Sequence, residues 1–377
     1  MNRREALRVA AGVVAATVAG SSAWAQGRPP GPPGGRPPER VPGNAAPMPT
    51  VPPTAVRILD VHAHLFTARD YDIGNSVQPA LRVMDQLGIA KALIMPPPGE
   101  PGHPNLYDYE RILPVIGPYR DRFGFLGGGG TLNPLIHRYG PEKAVTEATR
   151  REFEATAERI LAAGAVGFGE IAAHHISYYP QHPYESTPAD GPLLRLLADI
   201  AARHDVPIDL HMDPVPSEMA LPAQFGQQST KNPPTAKENI TSLERLLSHN
   251  RAARIVWAHA GRDSLGTWTV DLSRTLLGRH PNLYMSLSLH PPFGLVPENS
   301  LLDAARQPNQ RWISLIADLP DRFLIGTDFF HMGADRAGLP LPPPTPLIRR
   351  FLDALPPALA ARIAHENAAR IYRVSLS

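Results

Sequence analysis

From Arg57 onward, short apolar runs alternate with segments in which apolar residues recur every three or four positions. Short apolar runs between turns are typical of buried β-strands, and the longer spacing is typical of helices with one buried face. The residues from Glu142 to Ala163 predict one such helix, and Pro192 to His204 predict another, with Asp190 as its N-cap. The predicted strands are Ile58–Leu65, Ala92–Met95, Phe123–Gly127, Val166–Ile171, Val206–Met212, Arg254–His259, Leu283–Leu289 and Phe323–Asp328.

Eight strands that alternate with helices predict an α/β fold of the (β/α)8 type, the TIM barrel. A doubly wound open sheet is the alternative. Open sheets of the dinucleotide-binding kind carry a Gly-rich phosphate loop after the first strand, and none follows Ile58–Leu65. The pattern therefore favours the barrel.

Polar residues interrupt the apolar runs in a regular way. In the first predicted strand, Asp60, His62 and His64 share one face and apolar residues share the other; in the fifth, Asp209 and His211 share a face. A barrel strand turns one face to the outer helices and the other to the interior. We expect the apolar faces to pack against the helices, so the imidazoles point inward at the carboxyl ends of the strands, where barrel enzymes keep their active sites.

The first 25 residues have the features of an export signal. Arg3 and Arg4 precede an apolar stretch, and Ala23-Trp24-Ala25 is a small-x-small cleavage pattern. The paired arginines resemble the signal of the twin-arginine route. We expect residues 1–25 to be a signal peptide recognised by the twin-arginine export machinery, and the mature protein to be periplasmic. The stretch is too weakly apolar for a stable membrane span.

Residues 26–56 are rich in Pro and Gly. Such a composition cannot bury apolar surface, so it predicts an extended, disordered linker. The folded domain is expected over residues 57–377.

The composition excludes some kinds of active site and binding partner. The chain of 377 residues contains no Cys, which excludes thiolate metal ligands and a cysteine nucleophile, but it contains 15 His. Its 37 Lys and Arg balance 35 Asp and Glu to a net charge of +2. No basic run follows the N-terminal segment, so nothing indicates a nucleic-acid partner.

Five predicted strands end in an inward imidazole or carboxylate. Singly, each has a simpler role: His211 could be a hydrogen-bonded core residue, and Asp328 could cap a helix. Together they would be costly to bury unless they bind something. Nitrogen and oxygen ligands of this kind suit a divalent metal, zinc first, with iron, manganese or nickel as alternatives. The candidate set is His62, His64, Glu170, His211, His259 and Asp328.

Most of these residues belong to short motifs. In chain order, the motifs are Asp60-Val61-His62-Ala63-His64, Asp209-Leu210-His211, Trp257-Ala258-His259-Ala260-Gly261 and Ile325-Gly326-Thr327-Asp328. In these motifs the sequence resembles the amidohydrolase superfamily, in its amidohydrolase-related branch, which also includes decarboxylases. The resemblance covers roughly residue 57 to the C-terminus and implies an amidohydrolase-like (β/α)8 barrel over residues 57–377.

The resemblance also implies roles for the candidate residues. It makes His62, His64 and His211 metal ligands, and Asp328 both a ligand and a proton-transfer group. His259 would be a ligand of a second metal, or a hydrogen-bond donor in a one-metal site. Glu170 stands where several two-metal members carry a bridging carboxylate or modified lysine. One or two divalent metals per chain are therefore expected, with Asp328 and His259 as catalytic residues.

We predict from this a metal-dependent hydrolase that cleaves an amide, ester, lactone or related bond of a small molecule with metal-activated water. The alternative is a metal-dependent non-oxidative decarboxylase or hydratase, in which Arg262, near His259, would hold a substrate carboxylate. A non-catalytic binding protein on the same fold is disfavoured, because every ligand expected of an enzyme is present.

Overall fold

The computed structural model describes residues 55–66, 72–103, 106–139, 144–289, 296–303, 305–332 and 345–376. The predicted signal peptide, residues 1–25, lies outside the described residues, as does the predicted linker, residues 26–56, except for its last two positions. Export, periplasmic location and the linker therefore stay predictions. Within the described ranges, no helix combines the length and the apolar character that crossing a membrane requires.

Strands and helices alternate along the described chain as the periodicity predicts. The strands are β1 (Ile58–Phe66), β2 (Ile89–Ile94), β3 (Phe123–Phe125), β4 (Gly127–Gly128), β5 (Phe168–His175), β6 (Glu185–Ser186), β7 (Pro207–Met212), β8 (Met219–Ala220), β9 (Thr235–Ala236), β10 (Arg254–Ala260), β11 (Leu283–Leu287), β12 (Phe323–Ile325) and β13 (Phe329–Met332). The α-helices are α1 (Val77–Leu87), α2 (Tyr109–Ile116), α3 (Leu132–Arg138), α4 (Glu147–Ala162), α5 (Pro192–His204), α6 (Ala223–Gln228), α7 (Ile240–His249), α8 (Val270–Arg279), α9 (Gln310–Asp318), α10 (Leu347–Asp353), α11 (Pro357–Ala361) and α12 (Asn367–Tyr372), with a π-helical turn at Arg362–Glu366 between the last two.

One sheet carries eleven of these strands, and its main path runs β3-β2-β1-β12-β11-β10-β7-β5-β4, with β13 paired to β1 and β6 to β5. The pairings along the path are parallel. The two ends of the path, β3 and β4, are consecutive segments separated only by Leu126. The sheet therefore returns to the strand where it began, and the predicted (β/α)8 barrel is confirmed.

Two apolar layers enclose the strands. The larger joins the outer faces of the strands to the surrounding helices. The smaller joins five strand residues to α12, which closes one end of the barrel interior, and it also includes Met95 after β2 and Leu126 between β3 and β4. The strand residues are Leu59, Val61, Leu93, Val256 and Leu324.

The predicted alternation of β1 is only partly right. Ala63 and Leu65 face the helices as expected, but Leu59 and Val61 belong to the interior cluster. The pairing of β1 with β2 shifts register between Asp60 and Ala63, so the apolar face changes side there. A β-bulge of this kind re-aims the side chains that follow it, here towards the site.

The predicted helices also differ in detail. Helix α5 begins at Pro192 as predicted, but its N-cap residue is Gly191 and not Asp190. The carboxylate of Asp190 instead accepts hydrogen bonds from Arg195 and Arg245, at 2.9 and 2.5 Å. The other predicted helix is α4, which starts at Glu147 after Thr146, whose side chain accepts from the amide of Thr149.

The last predicted strand is split. Strand β12 ends at Ile325 and β13 begins at Phe329, so Asp328 lies in the break and not within a strand. Two hydrogen bonds join this break to β1. The Asp60 carboxylate accepts from the amide and the hydroxyl of Thr327, at 2.9 and 2.5 Å. These bonds fix the geometry of the residues that follow.

An insertion follows β7, before helix α7. It contains β8, β9 and α6, and its apolar residues pack with Ile176 and Leu265 beyond the strand ends. The side-chain amide of Asn232 is buried and makes two hydrogen bonds with the backbone of Ser177. Its nitrogen donates to the carbonyl of Ser177 at 2.7 Å, and its oxygen accepts from the amide of Ser177 at 2.9 Å. An ion pair between Lys231 and Glu100, 2.7 Å long, ties it to the segment after β2. The insertion is therefore anchored from two sides.

Asp108 organises the carboxyl end of the third barrel strand. Its carboxylate accepts hydrogen bonds from the amides of Tyr109 and Gly128, at 2.7 and 2.9 Å, and from the hydroxyl of Thr131, at 2.6 Å. Asp108 and Gly128 are buried, so the amide of Gly128 would lose its partner without gaining water. Tyr109 and Thr131 are partly buried and would each lose a partner as well.

We expect Asp108→Ala to lower the free energy of unfolding by about 2–4 kcal/mol, because it removes the partner of one buried donor and two partly buried donors. Asp85→Ala is the matched control, since it removes an exposed carboxylate paired with Arg122 and should cost under about 1 kcal/mol. Urea unfolding measures both. Equal losses in the two variants would contradict this account of Asp108.

Candidate metal centre

All six candidate residues meet at the carboxyl ends of the barrel strands. They are buried, with His62 fully covered and Asp328 exposed by only 7%. Their positions are His62 and His64 in β1, Glu170 in β5, His211 in β7, His259 in β10, and Asp328 between β12 and β13.

Glu170 lies at the centre of the group. Its Oε1 accepts from Nδ1 of His211 at 2.8 Å and lies 3.3 Å from Nε2 of His259. Its Oε2 lies 3.5 Å from Nε2 of both His62 and His64. One carboxylate thus divides four imidazoles into two pairs, one pair at each oxygen.

Asp328 closes the other side of the group. Its Oδ1 lies 3.4 Å from Nε2 of His64 and 3.7 Å from Nε2 of His62. Its Oδ2 accepts from Nη1 of Arg262 at 2.6 Å and lies 3.8 Å from Nδ1 of His259. Two subsets bring their ligand atoms within 4.8 Å of one another: His62 with Glu170 and His259, and His62 with His64 and Asp328.

Groups outside this set orient the imidazoles of β1. Nδ1–H of His62 donates to Oδ1 of Asp209 at 3.0 Å, and Nδ1–H of His64 donates to the carbonyl of Met95 at 2.9 Å. Both rings therefore turn Nε2 towards the centre, where these two atoms lie 3.1 Å apart. Fixing one ring nitrogen in this way sets which nitrogen faces a metal.

His211 is held in the opposite sense. Its Nε2 lies 3.7 Å from Oδ2 of Asp213, and its Nδ1 faces Glu170. Asp213 is buried and also accepts from the amide of Ile176 at 3.1 Å. The ring of His211 consequently offers Nδ1 to the centre, where His62 and His64 offer Nε2.

Without a bound metal, protons on the imidazoles balance the negative charges of the carboxylates in the centre. Burial would lower the pKa of His62, but Asp209 and Glu170 outweigh it and raise the pKa well above its usual value. Burial also opposes protonation of His211, yet Asp213 and Glu170 raise its pKa to about 9. Burial lowers the pKa of His259 to about 3. At neutral pH His62 and His211 are therefore cations, and His259 is neutral.

The carboxylates stay ionised. Burial would raise the pKa of Glu170, but His62, His211 and His259 outweigh it and hold the pKa well below its usual value. Burial acts on Asp328 in the same direction, but the imidazoles of His259 and His64 and the guanidinium of Arg262 outweigh it and hold the pKa well below its usual value.

Two of the site residues have unusual backbone angles. His259 has φ of 70° and Asp328 has φ of 53°, both in the left-handed region that non-glycine residues seldom occupy. Such conformations cost free energy and persist where surrounding contacts determine them, often at functional sites. At Asp328 the amide donates to the carbonyl of His62 at 2.8 Å, which ties this bend to β1.

This donor set fits a divalent metal ion. The nitrogen and oxygen atoms converge within metal-ligand spacing, and the buried Nδ1 of His259 has no hydrogen-bond partner among the described residues. A bound cation would replace the protons that now neutralise Glu170 and Asp328.

The sequence from residue 136 to residue 374 matches the amidohydrolase family. The match covers more than half of the chain, and the protein belongs to this family, as its motifs predict. Comparison with curated protein sequences finds no match.

Several solved structures resemble the chain. A TIM-barrel protein from Bordetella bronchiseptica is 16% identical, over 84% of this chain and 99% of that one, with a TM-score of 0.48. A probable 2-pyrone-4,6-dicarboxylic acid hydrolase from Acinetobacter baumannii is 14% identical, over 84% and 100%, with a TM-score of 0.49. A 5-carboxyvanillate decarboxylase from Sphingomonas paucimobilis is 16% identical, over 85% and 100%, with a TM-score of 0.45.

The sequence motifs give no role to Asp209 and Asp213, the carboxylates that face His62 and His211 from outside the centre. Asp209 shares the inward face of its strand with His211, and this parity is the signal that could predict its contact with His62. Asp213 continues the same parity beyond His211, two residues later. The Met95 carbonyl left no signal in the sequence, because it is a backbone group brought in by the fold.

We expect His211 of the metal-free protein to titrate near pH 9 and His259 to stay neutral above about pH 4, which NMR of labelled imidazoles would measure. Since the pKa of His211 is higher in the folded than in the unfolded protein, its contribution to stability is full below about pH 6.5 and is lost as pH rises through about 9.

Asp209→Asn should lower the pKa of His62, because it removes the carboxylate that faces Nδ1 of that imidazole. Asp199→Asn, which removes an exposed carboxylate, should leave the pKa of His62 unchanged. Ordinary titration of His211 near pH 6.5 would contradict the charge balance described here.

Proposed function

We propose that the protein is a metal-dependent hydrolase of an amide, ester, lactone or related bond in a small molecule. The observation that carries the proposal is the position of Glu170, whose two oxygens face two pairs of imidazoles beside the ionised carboxylate of Asp328. Membership of the amidohydrolase family supports the same reaction class.

The contacts suggest how the ligands divide. His62 and His64, with Asp328, would hold one divalent cation, and His211 and His259 would hold a second, with Glu170 between them. Zinc suits this set of nitrogen and oxygen donors. Two cations at close range repel each other, and a shared carboxylate reduces that repulsion. When bound, the metal supplies Lewis acidity, which acidifies water and polarises a carbonyl or related group.

Asp328 is the proton-transfer group of this proposal. The carboxylate is ionised, so it can accept a proton from attacking water and later return it to the leaving group. Arg262 holds Oδ2, which fixes the orientation of the carboxylate. His259, kept neutral by burial, serves as the ligand of the second cation; in a one-metal site the same imidazole would donate a hydrogen bond to the attacked oxygen.

We expect His62→Ala and His64→Ala to lower metal affinity by more than about 100-fold and to abolish hydrolysis with it, because each removes a nitrogen ligand. His249→Ala is the control, since that imidazole is on the surface and pairs with Asp199. Elemental analysis and a panel of esters, lactones and amides measure the two effects, and circular dichroism checks the fold. Full metal content in both site variants would overturn the proposed centre. Release of carbon dioxide without consumption of water would identify a decarboxylase instead.

Glu170→Gln keeps the shape of the side chain and removes its charge. We expect it to reduce the metal content from two ions per chain to one and to reduce turnover by about 100-fold or more. Glu185→Gln is a matched control: burial raises the pKa of Glu185 to about 8, so its charge is already largely absent at pH 7. One ion per chain in the wild type, unchanged in Glu170→Gln, would decide for a one-metal site.

A further inference from the structure

Asp209, which orients His62, uses only one of its two carboxylate oxygens. Its Oδ1 accepts from Nδ1–H of His62 at 3.0 Å, while Oδ2 is buried and has no hydrogen-bond partner among the described residues. A buried acceptor without a donor costs free energy, because it has lost water and gained no bond in exchange. Oδ2 therefore indicates a second donor inside the barrel.

Tyr372 on helix α12 carries such a donor. The residue is 2% exposed, and its phenol oxygen has no partner among the residues that the structure describes. The ring packs in the smaller apolar layer with interior side chains of the strands, such as Leu59 and Val61. Burial raises the pKa of Tyr372 well above its usual value, and the negative charge of Asp209 adds to this effect. The phenol therefore keeps its proton, and it lies within the electrostatic reach of Asp209.

The packing around Gly169 places Asp209 against the same apolar layer. A Cβ on Gly169 would lie 2.9 Å from Cβ of Asp209 and 3.0 Å from Cδ2 of Leu126. Leu126 belongs to the smaller layer, as Tyr372 does. The side chain of Asp209 thus lies between the layer that contains Tyr372 and the imidazole of His62.

A third buried polar atom belongs to this region. Oγ of Ser286 in β11 is buried and has no hydrogen-bond partner within the described part of the chain. A Cβ on Gly326 would lie 2.9 Å from this oxygen and 3.0 Å from Cβ of His62, so the hydroxyl lies near the imidazole that Asp209 orients. Three such atoms in one interior indicate a shared partner. An enclosed water molecule, which typically makes about three hydrogen bonds, has the right chemistry.

We propose that Tyr372 is a positioning residue of the metal centre, and that its phenol donates to a water molecule enclosed in the barrel. The water donates one hydrogen to Oδ2 of Asp209 and the other to Oγ of Ser286. Asp209 is then held at both oxygens, so the orientation of His62 towards a metal depends on the C-terminal helix. The inference rests on the proposed function, because it assigns a support to the metal centre. The competing view is that Tyr372 only fills the apolar layer.

A double-mutant cycle separates the two views, since it measures whether Tyr372 and Asp209 act through each other. Competition with a chelator gives the zinc affinity of the full-length wild type, Tyr372→Phe, Asp209→Ala and the double variant. We expect Tyr372→Phe to weaken zinc binding by about tenfold, as is usual for groups that support a metal ligand. In the Asp209→Ala background the same change should have less than about a twofold effect, because the group it acts on is gone. Tyr119→Phe is the control, because its hydroxyl bonds Gln78 at the surface, and circular dichroism checks the fold.

Two measurements on the metal-free protein distinguish failure of this inference from failure of the proposed function. NMR of labelled imidazoles should show a shifted Nδ1 resonance of His62 in Tyr372→Phe and an unshifted one in Tyr119→Phe. A high-resolution crystal structure of the wild type, which needs no variant, should show the water between the phenol and Asp209.

Four results would overturn the role of Tyr372: zinc affinity unchanged in Tyr372→Phe, an equal loss of affinity in both backgrounds, an unshifted His62 resonance, or a crystal structure without that water. A wild type that binds no zinc would count against the proposed function. The resonance of His62 and the crystal structure would still decide the role of Tyr372, because neither depends on a bound metal.

Discussion

Four imidazoles and two carboxylates share a buried space at the carboxyl ends of the strands, and the free-energy cost of collecting charge there constrains the rest of the site. An ionised group without a partner in such surroundings is severely penalised. In this protein, carboxylates and imidazoles alternate, so that each charge faces a group of opposite charge or a hydrogen-bond partner. Glu170 faces imidazole nitrogens at both oxygens, and Asp209 and Asp213 face the outer nitrogens of His62 and His211. Changing one member therefore alters the charge state of its neighbours.

Much of this arrangement follows from local pattern. Apolar periodicity predicts the barrel strands and the start of α5 at Pro192, because burial repeats every two residues in a strand and about every 3.6 in a helix. Polar residues at strand ends predict the site, because parallel barrel strands finish at the same edge. His62, His64 and His211 could therefore be placed inward from the sequence.

Other features depend on contacts between distant parts of the chain. The change of face in β1 follows from its pairing with β2, and the bends at His259 and Asp328 are left-handed conformations that local preference disfavours. Asp190 is a residue type that often caps helices, yet its carboxylate accepts hydrogen bonds from Arg195 and Arg245 instead. Arg262 illustrates the same limit, since 66 residues separate it from Asp328 in the chain. Tertiary hydrogen bonds decide these cases.

The bonds between Asp60 and Thr327 join residues 267 positions apart. Asp328, the next residue, bonds the carbonyl of His62, so the first and last parts of the centre take their geometry from each other. Closing a loop of that length is an entropic cost that only the completed sheet offsets. While the chain is being synthesised, the segment from β1 to β11 contains the four imidazoles of the centre and Glu170 but lacks Asp328, the carboxylate that completes the set. Assembly of the full centre thus comes late in biogenesis, after the final strand has emerged and paired with β1.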